Sequence, residues 1–538
     1  MFEELSPRGP HYSLRPSVMT TGGLVVAGSP LASHAGAEIL SAGGNVIDAA
    51  IAAAAVQAVV LPHLNGPGGD MFMLYRTTDG KIKALNASGP APSGATAEAF
   101  EHRGHATIPT RGIETATVPG AVDGWFQALR DAGSLSASKV FARALSYAVE
   151  GFPAYANFIG YLSTESFGEA LKCEPRLESM FMPNGKALRK GELIRQPELA
   201  CTIERLISQG PDDFYRGETA HLILAESKRR NGFFEPRDLA EYKSRWVDPI
   251  SVRYRDLEMF QVPPNSQGIT MLQQLLFLSD RDLKSLGHNS AEYIDLLVAA
   301  KLTAFSDRSS LVCDPDVVDM PVVKMLSEDR RRAFAEDRRT RRSGLTAKTS
   351  SEKGDTVSLV AVDRKGNIAV LIQSLSEDFG SAVAIAGAGF VLNNRMGGFT
   401  LQKGHPNQVA PGKRPLHTLC CGIAVEDGRP VLAYATPGGH AQTQTLVQVL
   451  NNLRLFGMDI QEAVEAPRFS HDGGYLLLEN RINPGADAVL AQAGHVVHRL
   501  SDWSSIAGGC TAIAFDPDNG MRFGGADPRR DAYASASW

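Results

Sequence analysis

Two β-rich runs, Val357–Val362 and Ile368–Ser374, flank the turn Asp363-Arg364-Lys365-Gly366-Asn367 and stand directly behind the polar stretch Thr349-Ser350-Ser351-Glu352-Lys353-Gly354. The runs are rich in β-branched residues and the turn in Asp, Gly and Asn, so the spacing predicts a hairpin. Centred on Lys365, partners are residues whose numbers sum to 730, which sets Thr356 opposite Ser374. Directly opposed side chains lie about 4.5–5.5 Å apart at Cβ. A threonine at the head of a strand, behind a polar linker, is where a chain that cuts itself exposes a new N-terminal nucleophile. The pair also reads as two hydroxyls on a polar sheet face.

The 538 residues, 43% hydrophobic, have ample length for a sizeable core, and the mild net charge of −5 gives no basic excess for nucleic acid. Acidic residues within Met1-Phe2-Glu3-Glu4-Leu5-Ser6-Pro7 leave no apolar core for a signal peptide. The longest apolar run, Ala49 to Leu61, carries Gln57, falls short of a bilayer span and is expected to be a buried helix. Six scattered cysteines show no metal-ligand spacing, and Cys420-Cys421 is poor geometry for a mutual disulfide. A reduced, cytoplasmic protein with no metal or organic cofactor and no membrane partner is the expectation.

Residues 24 to 62 read as a strand and two Ala-rich helices parted by Gly43-Gly44-Asn45, with Asp48 as the cap of the second. The turn Asn65-Gly66-Pro67-Gly68-Gly69-Asp70 precedes strands Met71–Arg76 and Lys81–Asn86. Residues 120 to 310 read as mainly helical, at Trp125–Ala132, Ser136–Val149, Ala220–Arg230, Met271–Leu278 and Ala291–Asp307. From Glu328 to Lys353 a charged, solvated helix gives way to the polar linker. Acidic residues interrupt its arginines, and no aromatics interleave them. Strands follow at Gly389–Leu392, Leu419–Val425, Val431–Thr436, Tyr475–Glu479, Val496–Leu500 and Cys510–Phe515, with a helix over Ala441–Leu455. Sheets between helical layers, without a βαβ repeat, point to an α+β sandwich rather than a doubly wound sheet.

The strand ending at Thr436 runs into Pro437-Gly438-Gly439-His440 and then a helix. Backbone N–H groups there can hold a developing oxyanion, and a tight turn is the plain alternative. No GxSxG, phosphate-binding loop or HExxH supports a rival chemistry.

The chain resembles the γ-glutamyltranspeptidase family of N-terminal nucleophile hydrolases nearly end to end. The resemblance rests on Ala42-Gly43-Gly44-Asn45-Val46-Ile47-Asp48, Gly66-Pro67-Gly68-Gly69, Pro263-Pro264-Asn265-Ser266-Gln267-Gly268, Phe305-Ser306-Asp307-Arg308, Gly354-Asp355-Thr356, Leu392-Asn393-Asn394-Arg395, Lys413-Arg414-Pro415, Pro437-Gly438-Gly439 and Ala526-Asp527-Pro528-Arg529. It implies a four-layer αββα sandwich and a proenzyme cut between Asp355 and Thr356. The fragments, 1–355 with a linker over about 328–355 and 356–538, stay together as one unit, and a homodimer of that pair is among the assemblies it allows. Ser374 matches a hydroxyl that hydrogen-bonds the nucleophile, and Gly438 and Gly439 match the oxyanion glycines.

The pocket departs from the transpeptidases. Ser88 stands where they carry an arginine, His417 and Thr418 replace paired serines, and Ser376, Arg395 and Gly398 replace an asparagine, a glutamine and an aspartate. Losing the aspartate removes the anion that would pair with a glutamyl ammonium, and Arg395 adds a like charge. Arg395, with His417 assisting, is instead suited to a carboxylate; its alternative is a structural ion pair, and that of His417 a packed histidine. The pattern looks like the oxamate amidohydrolase-type members. The expectation is a self-processing amidase for a small carboxylate-bearing amide. The alternatives are a γ-glutamyl hydrolase or transferase with an altered pocket, or an acylase, and an unprocessed binder of small acids.

Overall fold

The computed structural model describes residues 13–182, 185–186, 188–340 and 354–538. The linker expected over Ser343–Lys353 and the acidic N-terminal stretch lie outside the described residues.

Two seven-stranded antiparallel sheets face each other. One runs in the order Tyr533–Ser537, Gly23–Ala27, Gly354–Val362, Ile368–Glu377, Asp70–Arg76, Ile82–Ala87, Arg245–Val247. The other runs Val18–Thr20, Arg522–Ala526, Thr511–Phe515, Arg429–Ala435, Cys421–Glu426, Leu257–Gln261, Ile250–Tyr254. Each sheet takes strands from both sides of Thr356, so a cut there leaves two fragments sharing both sheets.

Strand alternation explains the layering. Val360, Val362, Val370 and Ile372 meet Ile423, Ala433 and Ile513 between the sheets. Leu359, Ala361, Ala369 and Leu371 point the other way, onto the helix Val46–Val60. Every residue of that helix is buried, which is why it is apolar all round and carries so many alanines. Helices Gly268–Leu278, Ala291–Leu311 and Gln442–Arg454 cover the second sheet. The result is the expected four-layer αββα sandwich.

Several local expectations are corrected. Asn45, not Asp48, is the N-cap: its Oδ1 accepts from the Ile47 and Asp48 amides, while Asp48 accepts from the Asn45 amide at 2.9 Å to close a capping box. Asp48 also takes the Ser134 and Leu135 amides, tying the helix start to the next segment. The helical stretch 120–310 contains the edge strands Arg245–Val247 and Ile250–Tyr254 and, one place in from the second edge, Leu257–Gln261, and Ser136–Val149 divides into Ala137–Val140 and Ala142–Glu150. Gly389–Leu392 is not a strand; Gly387 and Gly389 both sit at positive φ and curl the chain, leaving Val391 one bridge to Ala384. Strands Phe469–Asp472, Arg522–Ala526 and Tyr533–Ser537 were not expected.

The hairpin keeps the 730 register from Val357↔Gln373 to Val362↔Ile368. The register then slips by one at Thr356, so Asp355 pairs with Ser376 and Gly354 with Glu377. A bulge thus replaces the flat Thr356–Ser374 pairing, and re-aims the strand at the candidate nucleophile.

Candidate active site

Thr356 lies at that bulge, in the middle of the sheet, and is 2% exposed. Opposite it the chain is also irregular: Ser376 holds φ at +90° and its amide donates to the Ser374 hydroxyl at 2.7 Å. The strain and the bulge occur at the same level of the hairpin, where a backbone held off its preferred geometry marks a working site.

The Gly-Gly turn reaches the same spot from the second sheet. Strand Arg429–Ala435 ends, Gly438 and Gly439 take φ of +118° and +51°, and a 3₁₀ turn over Gly439–Ala441 leads into the helix Gln442–Arg454. A Cβ on Gly439 would lie 3.1 Å from the Gly354 carbonyl oxygen and 3.2 Å from its Cα. Glycine is therefore required on conformational and steric grounds, and the turn abuts the backbone two residues before Thr356. The Gly439 carbonyl accepts from Gln267 Nε2 at 3.1 Å, and Gln267 Oε1 accepts from Arg308 at 2.8 Å. The turn is thus held from behind.

On the other flank of Ser374 stands Asp70, its cross-strand partner at the head of Asp70–Arg76. Arg395, 2% exposed, opens a short 3₁₀ turn and reaches Ser374, Thr418 and Asp70. It donates to Ser374 Oγ at 3.3 Å and Thr418 Oγ1 at 3.2 Å, and its Nε lies 3.6 Å from Asp70 Oδ2. His417 Nδ1 accepts the Leu419 amide at 3.3 Å, so the ring proton sits on Nε2, 3.2 Å from the same Asp70 oxygen. Burial, then the Arg395 charge, pushes the His417 pKa down to about 4 against the pull of Asp70. The imidazole is neutral, and Arg395 and Asp70 carry the opposed charges.

Ser88 is locked among side chains, donating to Asn86 Oδ1 at 2.7 Å and accepting from Asn265 Nδ2 at 3.2 Å. At Gly398 a Cβ would lie 2.4 Å from the Leu416 carbonyl oxygen, so this backbone has no room for an aspartate there.

The structure therefore brings Ser374, Arg395, Thr418 and His417 into one cluster, with Thr356 at the adjoining bulge and Gly439 against Gly354, two residues before the threonine. Asp70 was missed as a site residue, because the strand pairing that sets it beside Ser374 joins segments about three hundred residues apart, beyond the reach of hairpin arithmetic. Among the described residues no group of His, Cys, Asp or Glu is arranged to hold a metal ion. Likewise no helix among them is long and apolar enough to cross a membrane. A hydroxyl beside a backbone-donor turn suits acyl transfer.

Comparison with known proteins gives the same frame. The family profile described as gamma-glutamyltranspeptidase matches residues 32–537. A glutathione hydrolase-like YwrD proenzyme of Bacillus subtilis is 35% identical over 96% of this chain and 99% of its own length. An oxamate amidohydrolase proenzyme of Klebsiella pneumoniae is 35% identical with the same coverage of both chains, 96% and 99%. The crystal structure of a cephalosporin acylase from Bacillus halodurans superposes with a TM-score of 0.90 at 32% identity, covering 100% of this chain and 99% of that one.

Proposed function

Because the chain belongs to the gamma-glutamyltranspeptidase family, an enzyme family with hydrolase proenzymes among its members, we propose that it is a self-processing amidohydrolase acting on a small amide that bears a carboxylate. The observation that carries this reading is the Arg395 cluster: a buried guanidinium bonded to Ser374 Oγ, with no space for an acidic side chain at Gly398. That pocket favours an anion over the ammonium of a γ-glutamyl group.

In the uncut chain Thr356 Oγ attacks the Asp355 carbonyl carbon. The peptide C–N bond breaks, its nitrogen takes the hydroxyl proton, and water hydrolyses the resulting ester. The products are fragments 1–355 and 356–538. The freed α-amino group titrates near ~7.7–8.0 and serves as base for its own hydroxyl. In turnover Oγ attacks the substrate amide, Gly438 and Gly439 N–H groups receive the oxyanion, ammonia leaves, and water resolves the acyl-enzyme. One such donor is worth about 2.7–4 kcal/mol in the barrier.

A γ-glutamyl hydrolase is the second reading, favoured by 35% identity to the glutathione hydrolase-like relative, the same value as to the oxamate amidohydrolase. The test has two arms. Thr356→Ala should remain one band on denaturing gels while the wild type gives two; continued cutting of the variant at Asp355–Thr356 would remove the nucleophile assignment. Ammonia release from oxamate and related acid amides, run beside a γ-glutamyl-nitroanilide assay, should favour the acid amides. A larger nitroanilide rate would select the second reading.

A further inference from the structure

A second space touches Thr356. It is a cavity of about 30 Å³ walled by His63, Tyr161, Thr356, Pro437, Arg530 and Asp531 among others. That volume accommodates about two water molecules. Its walls join the nucleophile's strand to Pro437, the residue just before the two glycines, so whatever occupies it lies beside both.

His63 is the unusual wall. It is fully buried just beyond the helix Val46–Val60, and its ring packs against Tyr161 at 4.5 Å, Phe158 at 4.8 Å and Phe379 at 6.0 Å between centroids. Its carbonyl accepts the Phe379 amide at 2.7 Å, which fixes the backbone beneath the ring. Neither ring nitrogen has a hydrogen-bond partner among the described residues, and Asp531 Oδ2 on the same cavity also lacks one. Burial, then the Arg530 charge, holds the His63 pKa well below its usual value, so the ring offers one donor and one acceptor. Buried polar atoms in this condition call for a polar occupant, and the cavity size suits water.

We propose that this cavity holds the water that hydrolyses esters formed on Thr356, and that His63 positions it. The inference rests on Thr356 being the self-processing nucleophile. The water oxygen bonds to the ester carbonyl carbon, the bond from that carbon to Thr356 Oγ breaks, and one water proton passes to Oγ. The other proton leaves with the new carboxylic acid, and no oxidant or reductant is involved. His63 accepts a hydrogen bond from the water and aims its lone pair at the carbon. It is a positioning residue with no claim on the first attack.

The experiment follows processing of full-length chain on denaturing gels with and without hydroxylamine, which cleaves esters. His63→Phe keeps an aromatic ring in the stack and His63→Leu reduces its bulk, so either folded variant carries the test. Thermal midpoints in a Thr356→Ala background check folding. The expected result is processing slowed about ten-fold or more, with a full-length band that hydroxylamine splits in two, and substantial recovery in His63→Asn. Wild-type rates in the Phe or Leu variant would overturn the proposal. So would slow processing without a hydroxylamine-labile band, because the lesion would then precede the ester, and so would an Asn variant no faster than Phe. A wild-type chain that never divides, or a Thr356→Ala chain that does, would instead strike the nucleophile assignment itself.

Discussion

Two buried arginine clusters in this chain use the same side-chain types and differ in fit. Near the C-terminus Arg529 grips Glu479 with two bonds of 2.6 and 2.7 Å, meets Asp527 at 3.1 Å, and donates to the Val464 and Ala466 carbonyls. Arg468 adds a 2.6 Å contact to the other Asp527 oxygen. Arg481 completes the group at 2.9 Å from Glu479, so three arginines and two carboxylates close on one another. At the candidate site Arg395 shares Asp70 with His417, at 3.6 and 3.2 Å, and donates to the Thr418 and Ser374 hydroxyls at 3.2 and 3.3 Å. Neutral hydroxyl oxygens are weaker partners for a guanidinium than carboxylates. The first cluster is closed by carboxylates and carbonyls of the fold itself. The second is the one that the proposed reading assigns to a substrate carboxylate.

The sharpest break of that contrast is Arg529→Met. It takes the two-pronged partner from the fully buried Glu479, leaving it Arg481 at 2.9 Å and the Arg468 and Ser504 amides, and removing one partner of a buried pair costs about 3–5 kcal/mol. Urea unfolding should show that loss. A loss under about 1 kcal/mol would mean the C-terminal cluster is as loosely held as the other.

A pH profile separates the clusters next. His417 has a folded pKa of about 4 against an ordinary 6.5, so between those values the unfolded chain binds more protons than the folded one. Stability is therefore whole above pH 6.5, falls as the pH drops towards 4, and changes no further through this group below that. At about 1.36 kcal/mol per pH unit the loss is roughly 3 kcal/mol. His63 and His471 are also lowered by burial and share the acid window, so the measurement is the difference between wild type and His417→Gln. The variant should lack that share of the acid limb; identical limbs would show His417 to be no part of a charged cluster.

The same two regions show what was legible in the chain. The hairpin was, because strand period and turn chemistry are local and the 730 register holds for six consecutive pairs. The slip at Thr356 was not, because a bulge there is set by what packs around it: the Gly439 backbone pressed on Gly354 and the turn of Ser376 onto Ser374. Arg395, His417 and Thr418 stood out as departures from a family pattern, whereas Asp70, which holds Arg395 and His417 together, looked like the end of a glycine turn. Its part comes from a cross-strand pairing with a segment about three hundred residues away. The strands over 245–261 were missed for the same reason, since strands at and next to a sheet edge take their order from neighbours rather than from their own periodicity.

The smallest effect is the most specific to function. Arg395→Met should cost less folding stability than Arg529→Met, about 1–3 kcal/mol, because Asp70 keeps the Gly89 amide at 2.9 Å and the His417 Nε2–H. Its mark belongs on turnover instead. If Arg395 receives the substrate carboxylate, kcat/KM for acid amides should fall about 100-fold while a neutral amide of the same size changes little. Arg395→Lys should restore charge without restoring rate, since an ammonium lacks the planar fork. Equal losses on acid and neutral amides would assign Arg395 to holding Ser374 and Asp70 in place, and the two arginine clusters would then differ in tightness alone.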